Sequence, residues 1–205
     1  MFAINLLLAH LVSDFAFTNI FSEKLTKKDN TLYHIIWVII AFLAFTFDSL
    51  GSMTSILIIS LSIIFHVVWD LYRIKVNSTP LKEFSVILIF FVISFFTKGI
   101  FENSYLSLIF QYYLLGLVLV TGLVTYLFRF FKVLPLEKKD TTGMTERMVL
   151  FIFLVNQMYL YAIITVIVGI TYKYIFEKFR NKEIFFSPII GFIFSLLWLL
   201  LLNNI

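Results

Sequence analysis

Residues 54–72 read TSILIISLSIIFHVVWDLY, and this stretch decides the fold class of the chain. A helix needs about 20 mostly apolar residues to cross a bilayer, and this run is close to that length. Within it lie an imidazole and a carboxylate, His66 and Asp70. Because an ionisable side chain at the bilayer centre costs at least about 2.5–3.5 kcal/mol, its presence there indicates a function. The stretch therefore predicts a membrane-spanning helix with a functional pair.

The same spacing occurs in a second apolar segment, His10-Leu-Val-Ser-Asp14. Residues four apart on a helix lie on one face, so each pair presents an imidazole and a carboxylate as one chelating unit. The chain has three histidines, and two of them belong to these pairs. Each pair taken alone is also compatible with a simple hydrogen-bonded clasp.

The composition of the chain excludes an ordinary soluble domain. Of its 205 residues 61% are hydrophobic and 14% charged, whereas soluble chains average about 25% charged residues. We therefore predict an all-α, polytopic transmembrane helical bundle of about seven spans, or six if the short fourth one does not cross. It forms a single transmembrane domain over 1–205, with a His/Asp site region of three helices at 1–82 and the remaining helices at 83–205. The predicted spans are 2–21, 31–47, 54–72, 83–97, 105–128, 146–176 and 184–202.

The charged residues between the spans favour the bilayer as the partner and predict an orientation. The formal charge of +4 is spread over short loops, with no run of five basic residues, which argues against nucleic acid. The loops after the first, third and fifth spans, counted together with Arg147 at the start of the sixth span, hold 11 Lys and Arg residues. The other side holds 5, including Lys173 near the end of the sixth span. Cytoplasmic loops are rich in Lys and Arg, so we predict a multi-pass plasma-membrane protein with its C-terminus in the cytoplasm.

The predicted topology brings both pairs and the third histidine to one side of the membrane. The first and third spans end on that side, and the second span begins there with His34 near its start. Nitrogen and oxygen ligands suit Zn²⁺, Mn²⁺ or Fe²⁺, and the chain has no cysteine thiolate to favour a softer metal. We therefore predict a divalent metal site, with His34 as a fifth ligand or acid–base group. Its predicted ligands are His10, Asp14, His66 and Asp70.

The sixth predicted span contributes two further candidates, Glu146 and Arg147, as catalytic contacts to a lipid headgroup or phosphate. Their alternative role is structural, since Thr145 resembles a helix N-cap and an acid in the first turn suits the helix dipole. Asn156 and Gln157 lie ten residues further along the apolar run, where amides usually bond across helices.

These motifs resemble a bacterial membrane-protein family known as domain of unknown function 3307. The resemblance lies in Leu-Leu-Leu-Ala-His10-Leu-Val-Ser-Asp14-Phe, in His66-Val-Val-Trp-Asp70 with a basic residue soon after it, and in Gly143-Met-Thr-Glu146-Arg147 followed by Asn156-Gln157. It implies an inner-membrane location and supports the choice of residues. It assigns no activity, because the family has none assigned.

Three functions fit the sequence. The first is a membrane-embedded, metal-dependent hydrolase of a lipid or lipid-linked substrate at the cytoplasmic leaflet. The second is a transporter component in which the same residues bind a translocated cation or proton. The third is a non-catalytic scaffold or regulatory subunit in which the pairs are clasps between helices.

Overall fold

The computed structural model describes residues 1–16, 28–76, 80–134, 140–177 and 182–204; most of these residues are helical and none lies in a strand. The predicted all-α class is thus confirmed. The chain divides into two compact units, Met1–Tyr112 and Tyr113–Ile205. The first unit contains the whole of the site region predicted at 1–82, and it extends through the next helix.

The first unit is built around a short buried helix. Helix α1 (Asn5–Leu11) continues as a π-helical turn (Val12–Ala16) and packs against α2, α3 and α4. Every residue of α1 is buried. Two N–H groups at its N-terminal end bond to side chains of other helices: Ile4 N donates to Gln111 Oε1 at 2.8 Å and Leu7 N to Ser94 Oγ at 3.1 Å. The surrounding helices are α2 (Lys28–Thr46), α3 (Met53–Lys75) and α4 (Pro80–Phe96).

The outward faces of these helices are strongly apolar. Trp37, Ile64 and Val68 are 45%, 58% and 58% exposed, which in water would leave a large apolar surface uncovered. Three helical stretches among the described residues are long and apolar enough to cross a membrane: Thr31–Ser49, Met53–Arg73 and Leu108–Phe130. By length and composition the chain is therefore suited to a membrane. Shorter apolar helices cover Asn5–Ala16, Tyr159–Ile175 and Phe186–Leu202.

The second unit packs α7 against α8, α9 and a second π-helical turn. Helix α5 (Leu108–Val118) runs across the boundary between the units and continues through the π turn (Leu119–Leu123) into α6 (Val124–Phe130). Gly191 allows α9 to approach α7 closely, because a Cβ there would lie 2.9 Å from Arg147 Cγ. The other helices are α7 (Thr141–Val155), α8 (Tyr159–Ile175) and α9 (Phe186–Leu202).

The sixth predicted span, 146–176, is not one continuous helix, and here the structure corrects the sequence prediction. Helix α7 ends at Val155 and α8 begins at Tyr159. Gln157 adopts a left-handed φ of 59°, its N–H bonds to Leu154 O, and Met158 N–H bonds to Phe153 O. This pair of bonds is a Schellman motif, which ends a helix and usually requires glycine at the left-handed position.

The two helices joined by this turn form an antiparallel hairpin. Thr142 bonds to Glu177 and Glu146 to Lys173, so the two ends remote from the turn lie side by side. Near the turn the rings of Phe153 and Tyr161 are 5.4 Å apart. The predicted amide bond across helices is present for Asn156, whose exposed side chain is hydrogen-bonded to the side chain of Tyr113 on α5 and also donates to Ile152 O one turn back.

Candidate metal centre

Four buried side chains of the first unit meet at one point. The π turn after α1 supplies Asp14, α2 supplies His34, and α3 supplies His66 and Asp70. Their exposures are 1%, 3%, 0% and 2%. One ligand atom from each lies within 4.8 Å of the ligand atoms of the other three. Asp14 of the first predicted pair therefore meets both members of the second pair, and His34 completes the group.

The four ligand atoms form a closed ring in which imidazoles and carboxylates alternate. His66 Nε2 is 3.2 Å from Asp14 Oδ1 and 3.1 Å from Asp70 Oδ2. His34 Nε2 is 2.9 Å from the same Asp70 oxygen and 3.7 Å from the same Asp14 oxygen. Ligands held about 2.0–2.2 Å from a metal ion are separated from one another by roughly 3–4 Å. The spacing of the ring thus fits a single ion at its centre.

Two atoms of the ring have no hydrogen-bond partner among the described residues: Asp14 Oδ1 and His66 Nε2, which are both buried. They lie 3.2 Å apart, but the geometry does not place an N–H of His66 along the line to the oxygen. A buried polar atom without a partner costs about 1–3 kcal/mol, and two that face each other are a costly combination. A cation between them would satisfy both, so these residues fit a metal ion.

Asp14 reaches the ring because the chain leaves regular α-helical geometry at Val12–Ala16. In a π turn the helix widens, so a residue four positions on no longer lies directly above its predecessor. Asp14 Oδ2 is consequently 3.9 Å from His10 Nδ1, beyond hydrogen-bonding distance, and its Oδ1 faces α2 and α3. The π turn therefore separates the first predicted chelating pair and turns its carboxylate toward the other two helices.

Arg73 holds the two carboxylates from outside the ring. Its Nη2 donates to Asp70 Oδ1 at 2.6 Å and its Nη1 to Asp14 Oδ2 at 3.3 Å, and these are the oxygens that do not face the ring. The same Nη1 lies 3.3 Å from Glu83 Oε2, in the first turn of α4. Polar groups outside the ligand set commonly fix the orientation of metal ligands. Arg73 leaves one oxygen of each aspartate directed to the centre.

The net charge of the ring and its neighbours Arg73 and Glu83 favours binding of a cation. With neutral imidazoles, three carboxylates (Asp14, Asp70 and Glu83) stand against one guanidinium (Arg73), which leaves a formal charge of −2. All four side chains are at least nine-tenths buried, with exposures between 1% and 8%. Unbalanced charge in a low-dielectric interior costs several kcal/mol per ion, so a divalent ion would neutralise the cluster.

His10 and His34 stand in positions that differ from their predicted roles. His10 was predicted as a ligand, but its Nδ1 lies 2.9 Å from His66 Nδ1, on the side of the His66 ring away from the carboxylates. Its ring stacks on Phe90, with centroids 4.5 Å apart and an interplanar angle of 11°. His34, predicted as a fifth ligand or acid–base group, belongs to the ring of four.

Glu146 and Arg147, the other predicted site residues, lie in the second unit, where both make internal contacts. Arg147 is 0% exposed; its Nη2 pairs with Asp140 Oδ2 at 2.7 Å and its Nη1 donates to Ser187 Oγ at 2.9 Å. Its Nε donates to the Val120 carbonyl in the second π turn at 2.9 Å. Glu146 pairs with Lys173, so both predicted residues neutralise a buried partner within their own unit.

The sequence analysis does not single out Glu83, and Arg73 enters it only as the basic residue that follows Asp70. A signal for Arg73 was present, because it stands three residues after Asp70 on the same helix face. Its contacts to Asp14 and Glu83 are 59 and 10 residues away in sequence, and local spacing does not reveal them.

Comparison with known proteins assigns no function to this site. No protein-family model, curated protein or solved structure matches the chain. The resemblance to the domain of unknown function 3307 stays a prediction carried by its short motifs.

Proposed function

We propose that this is a multi-pass membrane protein with a divalent metal centre at Asp14, His34, His66 and Asp70, and that it hydrolyses a lipid or lipid-linked substrate. The observation that carries the metal centre is the ring of four ligand atoms with two unpartnered atoms facing each other. Two imidazoles and two carboxylates suit Zn²⁺, Mn²⁺ or Fe²⁺. Such an ion, when bound with an open position, activates a water molecule as a nucleophile.

The lipid-like substrate class is supported by the surroundings of the ring. The helices that supply His34, His66 and Asp70 expose broad apolar faces suited to hydrocarbon. At the edge of the cluster Arg73 is 8% exposed at its side chain, more than any of the four ligands. A guanidinium binds phosphate or carboxylate groups through paired hydrogen bonds. An anionic headgroup approaching from that edge would meet Arg73 first.

Carriage of a metal cation is the second candidate function, and the shape of α1 favours it. Carriers often bind their cargo where a membrane helix is interrupted. Here the short α1 passes into a π turn at Asp14, and the four ligands are at most 3% exposed. Such a closed site suits an occluded cation as well as a catalytic one.

The deciding experiment measures metal in protein purified without chelator, followed by two activity assays. We expect close to one divalent ion per chain in the wild type and none in His66→Ala, whereas Ser62→Ala, a buried change one turn earlier on α3, retains it. Vesicles containing the protein are then assayed for hydrolysis of their lipids and for entry of Zn²⁺. Lipid hydrolysis lost in His66→Ala supports the enzyme, and Zn²⁺ entry without hydrolysis supports the carrier. A metal-free wild type contradicts both and favours the clasp.

The predicted orientation has its own test. We expect the loops at 22–30 and 73–82 to face the cytoplasm, because they hold six of the basic residues on the richer side. Lys27 and Asn77 lie outside the described residues. A single cysteine at either position has no background, since the chain contains no cysteine. Both cysteines should react with a membrane-impermeant thiol reagent only after the membrane is opened; reaction in intact cells would reverse the orientation.

A further inference from the structure

We propose that His10 is a positioning residue for the metal centre: its Nδ1 accepts a hydrogen bond from His66 Nδ1 and so leaves His66 Nε2 free to bind the ion. This inference rests on the metal centre proposed above and gives His10 a role other than the ligand predicted from sequence. The contact that carries it joins the two Nδ1 atoms, 2.9 Å apart and buried.

A contact between two Nδ1 atoms restricts where the protons lie. One of the two nitrogens must carry a proton and the other must not, because two N–H groups or two lone pairs would repel each other at 2.9 Å. If His10 donates, neutral His66 carries its proton on Nε2, which faces the carboxylates of Asp14 and Asp70. If His66 donates, its Nε2 presents a lone pair to the same two carboxylates, an arrangement that requires a cation between them.

Binding of an ion at Nε2 therefore requires one direction of this hydrogen bond, in which His66 Nδ1 donates and His10 Nδ1 accepts. In the neutral pair His66 then holds its proton on Nδ1 and His10 holds its proton on Nε2. A metal-bound histidine usually donates its other ring N–H to a fixed acceptor, and the Nδ1 lone pair of His10 supplies that acceptor.

The packing around His10 keeps this acceptor in place. Its ring stacks on Phe90, which is 0% exposed and also lies 6.1 Å from His66 between ring centroids. The rings of His10 and His66 meet nearly edge to face, at an interplanar angle of 69°. Phe42 also packs against His66, with their ring centroids 5.7 Å apart. These contacts hold both imidazole planes and therefore the line between the two Nδ1 atoms.

The test compares His10→Leu with His10→Gln. Leucine can neither accept nor donate, whereas the glutamine amide can do both. We expect His10→Leu to weaken Zn²⁺ binding about 10- to 100-fold, the usual effect of losing such a partner, and His10→Gln to recover most of the affinity. Ser94→Ala is the matched control, because it removes another buried hydrogen bond to α1, from Leu7 N, without touching the ring. It should leave Zn²⁺ affinity unchanged.

Nitrogen NMR of the histidine rings separates positioning from simple packing. The chain has only three histidines, so their ring signals are assignable one variant at a time. With Zn²⁺ bound, wild-type His66 should carry its proton on Nδ1 and His10 on Nε2. Equal Zn²⁺ affinity in His10→Leu and wild type, or a zinc-bound His66 with no proton on Nδ1, would overturn the positioning role alone. A wild type that binds no Zn²⁺ would instead overturn the metal centre itself.

Discussion

Asp14→Asn and Asp70→Asn are each expected to abolish bound metal. Either change removes one negative ligand from the ring of four, and a neutral amide is a poor ligand for a divalent ion. Saturating metal should stabilise the wild type by about 4 kcal/mol at a concentration a thousandfold above its dissociation constant. The variants should gain no such stabilisation. The measurements are metal content after purification and the unfolding temperature in detergent with and without added Zn²⁺.

The metal-free proteins should show the opposite order of stability. Each change removes one negative charge from a cluster of three carboxylates and one guanidinium, so the variants should unfold no more easily than metal-free wild type. Glu83→Gln is the matched control, because Glu83 shares Arg73 with the aspartates but lies outside the ring, and it should retain the ion. Full metal content in both aspartate variants would leave the clasp as the better interpretation.

Arg147→Leu should produce the largest loss of stability in the second unit, about 3–5 kcal/mol in the free energy of unfolding, because removing one partner of a buried ion pair leaves the other charged and unpaired. The orphaned partner is Asp140. The carbonyl of Val120 and the hydroxyls of Thr125 and Ser187 also lose a donor. The measurement is reversible unfolding of the purified protein in detergent.

Two further variants identify the cause of this loss. Arg147→Lys keeps the charge but not the planar set of five donors, so it should recover part of the stability. Asp140→Leu combined with Arg147→Leu removes both charges and should be less damaging than Arg147→Leu alone. If Arg147→Leu lowers the free energy of unfolding by less than about 1 kcal/mol, the guanidinium contributes little to the stability of this unit. Its predicted contact with a substrate headgroup then regains support.

The sequence predicts α2 and α3 within a few residues, because each is a long apolar run with clear polar ends. It also predicts that the two His–Asp pairs converge, since the first and third spans end on one side and the second begins there. Those arguments use only the spacing of residues on a helix and the alternation of successive spans across a bilayer. Both can be taken from the sequence alone.

The remaining features depend on contacts between distant residues or on rare backbone geometry. Nothing local distinguishes the π turn at Val12–Ala16 from a regular helix, and that turn separates Asp14 from His10. The break at Gln157 uses a left-handed residue that is not glycine, so the usual signal for a helix end is missing. The exchange of roles between His10 and His34 follows from how α2 packs against α3.

The hairpin of α7 and α8 changes the side of the membrane on which the chain is expected to emerge after α8. Because Thr142 lies beside Glu177, the chain after α8 returns to the face from which α7 began, whether the hairpin re-enters or crosses twice. The basic residues at 173–182, which a single sixth span would place opposite the other basic loops, then join them. If the first five predicted spans alternate across the bilayer, we expect 15 of the 16 Lys and Arg residues on one face and Lys98 on the other. The expected charge asymmetry is then greater, and the C-terminus is expected on the outer face.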